Sequence, residues 1–149
     1  MQDEIRILFT RRKIVGSWLI RAITWSRWSH VEIIVGKSVL GADAPEGVAL
    51  VPLSERISIA ENACIMTIPC DSKAAISWAW RNIGKPYDWW GILGLGLHHD
   101  WEDESKWWCS EFVGKALQKG GALPYRPETI KRLTPEHLWM MNFPVETVK

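Results

Sequence analysis

What this chain has least of is net charge. Its 18 Lys and Arg side chains stand against 17 Asp and Glu, a formal +1, so the whole-molecule field offers no strong attraction to nucleic acid, and no nucleic-acid partner is expected. It also lacks a long apolar run: Arg21, Arg27 and Lys37 interrupt its richest regions, and no stretch reaches the roughly 18 to 20 residues of a membrane span. The opening residues MQDEIRILFTRRK have neither the basic start nor the apolar run and small-residue cleavage site of a secretory signal. Three cysteines is an odd count, so the expectation is reduced thiols in a cytoplasmic protein, with export by another route left open. Internal repeats and low-complexity linkers are missing too. At 149 residues the chain fits one domain, 1–149, with one active site.

Other absences remove whole chemistries. Gly94 and Gly96 are not followed by a helix start with Lys-Ser or Lys-Thr, so there is no phosphate loop. The run His98, His99, Asp100, Glu102, Asp103 and Glu104 is dense in ligand types but has no His-x-x-x-His or Cys-x-x-Cys spacing. It reads as a solvated loop or a lid over a site, and neither a metal nor a cofactor is expected. Cys64 and Cys70 suit buried or edge thiols better than a bridge. Arg11, Arg12 and Lys13 read as the solvated start of a helix.

What is present in excess is tryptophan, 11 in all. Trp buries a large apolar area yet wants a partner for its indole N–H, so it suits pocket walls as well as cores. Trp28 and Trp108 are the candidates for a substrate-groove wall, Trp108 because it adjoins Cys109.

Hydrophobic periodicity predicts a strand at 5–9, a helix at 14–27, and neighbouring antiparallel strands at 31–35, 48–51 and 63–68, with GADAPEG as the turn between the first two. Asp71 predicts an N-cap for a helix with Ala75, Ile76, Ala79, Trp80 and Ile83 on one side, stopped by Gly84 and Pro86. A long loop follows. A second helix starts at Cys109 and ends at Gly120 and Gly121, and a last one starts at Thr134 with Pro135 in its first position. His137 there reads as a surface or capping residue.

Cys109 falls at a helix start, where unpaired N–H groups and the positive end of the dipole stabilise a thiolate. His30 opens the strand of WSHVEIIVG, and Glu32, two positions on, shares its face. A base and the carboxylate that orients it therefore lie together, although spacing alone does not connect them to Cys109.

The segments SHVEIIVG, GKPYDWWGI and WWCSEFVGKAL resemble the permuted NlpC-type amidases of the papain-like superfamily, the YiiX-like group. The order carries the resemblance: a strand of the type "SHVGI" precedes a "YCSEL" helix, as His30 precedes Cys109, with a "G-x-P-Y-D" turn between them met by Gly84, Pro86, Tyr87 and Asp88. It implies an α+β fold, a small antiparallel sheet or barrel packed against helices, circularly permuted. It implies Cys109 as nucleophile, His30 as base and acid, and Tyr87 beside the cysteine to help bind the substrate carbonyl or its oxyanion. Relatives take a third polar residue soon after the histidine or from a phrase like "VIEA" on the next strand. This chain reads VLGADAP there, which puts the expected carboxylate near Gly41 or Ala42, so Glu32 is the first choice and Asp43, one place out of register, the alternative. The first strand also departs from the pattern in lacking "GD". The activity implied is thiol hydrolysis of amides through an acyl-enzyme, on peptides or peptidoglycan. The rivals are a lipid-directed thioesterase or acyltransferase, and a Trp-rich binding module with a disabled site.

Overall fold

The computed structural model describes residues 3–12, 26–88, 106–122 and 125–149. Six strands form one antiparallel sheet: β1 (Glu4–Arg12), β2 (His30–Val35), β3 (Ser38–Asp43), β4 (Gly47–Pro52), β5 (Ala60–Pro69) and β6 (Val145–Thr147), in the order β4-β3-β2-β1-β5-β6. The sheet is open, not a closed barrel. Its helices are α1 (Leu53–Ile59), α2 (Ser72–Arg81), α3 (Cys109–Lys119) and α4 (Pro135–Trp139), with a 3-10 turn at Pro127–Arg132.

Strand alternation divides the sheet into two different faces. On one, Ile5, Ile7 and Phe9 of β1, Val31 and Ile33 of β2, and Leu40 and Ala42 of β3 form the main core with Phe112, Val113, Ala116 and Leu117 of α3. On the other, Leu8, Ile34, Val39, Ala63 and Ile65 make a smaller cluster against Leu53 and Ile57 of α1.

The expected strand neighbours need correcting. GADAPEG is not all turn: Gly41, Ala42 and Asp43 end β3, which lies between the strands expected at 31–35 and 48–51, while β5 pairs with β1. The strand at 5–9 is longer and carries Arg11 and Arg12, with a register shift between them. The helix at 14–27 falls outside the described residues except Ser26 and Arg27, which are not helical; the loop after Trp90 is likewise undescribed up to Lys106.

The helix signals held at their ends. Asp71 accepts the Ala74 N–H at 2.9 Å, and Gly84 takes a φ of +92° just beyond α2. The inward stripe was drawn too wide, since Trp80 is 51% and Ile83 40% exposed while Ala75 and Ala79 are buried. Thr134 caps α4, with His137 completing a reciprocal capping box.

Candidate active site

Three strand ends meet at one end of the sheet: the finish of β1 at Arg12, the start of β2 at His30 and the finish of β3 at Asp43. Thr10 of β1 lies opposite His30 and Leu8 opposite Glu32. The β2–β3 register, from Val35↔Ser38 to Ile33↔Leu40, continues toward Asp43 beside His30. His30, Glu32 and Asp43 thus share the face covered by α1. Their ligand-capable atoms lie within 4.8 Å of one another.

Glu32 is a fully buried carboxylate, 1% exposed, and needs both room and counter-charge. The room comes from Gly41 on the adjacent strand: a Cβ there would stand 2.6 Å from Glu32 Cγ. The space beside Gly41 is therefore free of a side chain of its own and is filled by Glu32 from the adjacent strand. The counter-charge comes from His30, whose Nε2 lies 3.2 Å from Glu32 Oε1, and from Arg56 of α1, whose Nε donates to the same oxygen at 3.1 Å.

Arg56 also reaches Asp43, its Nη2 forming an ion pair with Oδ2 at 2.9 Å, and Arg12 Nη1 donates to that oxygen at 2.9 Å. Asp43 Oδ1 accepts from Arg12 Nη1 and from the Ala44 N–H. The Arg12 backbone is held in turn by Ser29 Oγ, which accepts its N–H at 3.2 Å. Neither arginine stood out in the sequence, where Arg12 read as a solvated residue. The available signal was for burial: the IRILF strand pattern runs straight on into Arg11 and Arg12.

These neighbours set the protonation of the cluster. Burial, with the Arg12 guanidinium, works against a charged His30, but Asp43, Glu32 and a hydrogen bond with the Cys109 side chain outweigh them, and its pKa is pushed up to about 9. Burial works against the Asp43 carboxylate as well, yet His30, Arg12 and Arg56 together hold its pKa down at about 2. Glu32 is likewise lowered, its desolvation overcome by His30 and the two arginines.

Cys109 is the first residue of α3, 2% exposed. Its helix packs on the opposite, apolar face, but its start comes to the same end of the sheet, where the thiol is near enough to His30 to favour the charged imidazole. The helix start is fixed by Ser110 Oγ, which donates to the Leu133 carbonyl at 2.6 Å, and by Trp108 Nε1, within 3.1 Å of both. No side chain caps the helix at Trp108, so first-turn N–H groups are left for another acceptor.

Tyr87 reaches Cys109 through the backbone. The Asp88 N–H donates to the Trp107 carbonyl at 3.0 Å and the Trp107 N–H to the Pro86 carbonyl at 3.1 Å, a two-rung parallel bridge two residues before the cysteine. The other side of this turn is held to β4, where the Val48 N–H donates to the Lys85 carbonyl at 2.8 Å. Burial raises the Tyr87 phenol well above its usual range, and the Cys109 and Asp43 charges push the same way, so the hydroxyl stays protonated.

The structure thus brings Cys109, His30, Glu32, Asp43 and Tyr87 together. The two tryptophans proposed as groove walls occupy core positions: Trp28 packs 5.0 Å from Trp139 and 5.9 Å from Phe9 by ring centroid, and Trp108 is 3% exposed. Among the described residues all three cysteines are free, and no helix is long and apolar enough to cross a membrane.

No protein-family model matches this chain, and no curated protein sequence does. Among solved structures it is similar to the metalloprotein YiiX from Escherichia coli O157:H7, at a TM-score of 0.63 and 20% identity, covering 100% of this chain and 98% of that one. The likeness extends over the whole length and is one of fold.

Proposed function

We propose that this chain is a cysteine-nucleophile hydrolase, an amidase or peptidase of the permuted papain-like kind, acting through an acyl-enzyme. The observation that carries the reading is that the buried Cys109 thiol at the start of α3 lies close enough to His30 to favour its protonated form, with Glu32 and Asp43 on the same imidazole. A histidine kept protonated at neutral pH is the counter-ion of a thiolate, and it begins the cycle as an acid.

The Cys109 sulfur attacks the carbonyl carbon of an amide, and the carbonyl electrons move onto oxygen. Helix-start N–H groups and the Tyr87 hydroxyl are the donors for that oxyanion. As it collapses, the C–N bond breaks and His30 gives its proton to the leaving amine, leaving a thioester on Cys109. Water then attacks, His30 takes its proton, the C–S bond breaks, and acid and enzyme are released. Glu32 and Asp43 hold the ring and its charge through both halves.

The test is alkylation of Cys109 by iodoacetamide near neutral pH, with Cys64 and Cys70 replaced by Ser. Fast labelling that slows at least tenfold in His30→Ala and in His30→Gln supports the pair. Labelling at the pace of a simple thiol, unchanged by either substitution, overturns it. Peptide amides, cell-wall peptides and acyl thioesters offered to the active protein then separate peptidase from lipid-directed chemistry.

A further inference from the structure

His30, Glu32 and Asp43 supply one imidazole and two carboxylates with ligand atoms within 4.8 Å, donor types that suit a divalent cation. Within this set His30 Nε2 faces Glu32 Oε1 at 3.2 Å, and Glu32 Oε2 is buried without a hydrogen-bond partner. The position between the carboxylates, however, is already taken. Arg56 bridges them, donating from Nε to Glu32 Oε1 and ion-pairing through Nη2 with Asp43 Oδ2, and Arg12 makes a second contact to Asp43 Oδ2. Both guanidinium groups are themselves deeply shielded, with side chains 9% and 11% exposed.

Charge counts the same way. Two carboxylates and two guanidinium groups cancel and leave the single positive charge of the His30 imidazolium, so a divalent ion would have to displace that proton and would still leave two uncompensated positive charges in a buried cluster. Arginine cannot give up its proton to make way, and burial leaves little water to screen the repulsion.

We propose that Arg12 and Arg56 are the resident cations of this cluster. The wild-type chain takes no divalent metal there, and removing the Arg56 bridge turns His30, Glu32 and Asp43 into a three-ligand site for Zn²⁺ or Mn²⁺. The inference goes beyond the nucleophile reading and does not depend on it.

The experiment uses the full chain in a Cys109→Ser background, so that no thiolate at the site contributes, and measures Zn²⁺ and Mn²⁺ binding by titration calorimetry and metal content after dialysis. The parent and Arg56→Lys are expected to retain no stoichiometric metal, because both keep the positive charge. Arg56→Met is expected to hold one equivalent at least tenfold more tightly, and to lose it when Asp43→Asn is added. One equivalent held by the parent and abolished by Asp43→Asn overturns the proposal, as does a folded Arg56→Met variant that binds no better than the parent. Should circular dichroism show Arg56→Met unfolded, Arg12→Met is read against the same two outcomes. Because the nucleophile is absent throughout, failure here leaves the alkylation result untouched.

Discussion

The two faces of the sheet solve burial in opposite ways. Under α3 the contact is wholly apolar, Ile7, Phe9, Val31, Ile33 and Leu40 against Phe112, Val113 and Leu117, and its stabilisation follows the area removed from water. Under α1 the apolar cluster gives way toward one end to His30, Glu32, Asp43, Arg12 and Arg56, where every charge has an opposite partner. A buried ionic cluster of that kind adds little net stability compared with an apolar one, and it is costly to break in part. The first face holds the protein together; the second holds particular atoms in particular places.

The largest effect should come from the apolar face. Phe112→Ala, at a fully buried residue, is expected to lower unfolding free energy by about 3–5 kcal/mol, with the same pH dependence as wild type, because no titrating group loses a partner. Urea melts across pH would show this. A flattened pH profile in Phe112→Ala would mean the faces are coupled.

On the ionic face the effect depends on pH. His30 keeps its proton up to about pH 9 when folded but only to about 6.5 when unfolded. Its contribution is therefore full below roughly pH 6.5 and is lost as pH rises through 9, a change on the order of 3 kcal/mol. Denaturation of wild type between those limits should show the decline, and His30→Gln should remove it. An unchanged slope in His30→Gln would assign the decline to another group.

Gly41→Ala probes the space given to Glu32. The new methyl would meet Glu32 Cγ at 2.6 Å and Cβ at 3.2 Å, close to the backbone where little can give, so a loss of about 1–3 kcal/mol is expected. Much of it should return in Gly41→Ala with Glu32→Ala if that contact is the cause. The smallest effect belongs to neither face: Asp71→Ala removes the α2 cap bond to the Ala74 N–H and should cost about 1 kcal/mol, leaving Cys109 alkylation unaltered.

Features written in local residue chemistry were legible beforehand. The period of two put His30 and Glu32 on one face, Asp71 and Thr134 marked helix starts, and Gly120 with Gly121 marked a helix end. What escaped depended on partners distant in the chain. The end of β3 reads as turn because Gly41, Ala42 and Asp43 are poor strand formers in isolation; Gly41 is small for the sake of Glu32, and Asp43 is acidic for the sake of arginines 31 and 13 positions away. Arg56 lies in a seven-residue helix whose start, at Pro52, has no side-chain cap to announce it. The motif-order resemblance joins His30 to Cys109 where spacing cannot, and of what it implies the fold supports the YiiX-like α+β architecture.

The paired backbone bonds between Pro86–Asp88 and Trp107 have a consequence for how such a protein can vary. They tie the Tyr87 turn to the residues just before Cys109 without the use of any side chain. The approach of Tyr87 to Cys109 is thus set by main-chain atoms that every non-proline residue carries, so side chains along the bridge can change in evolution while that spacing is kept.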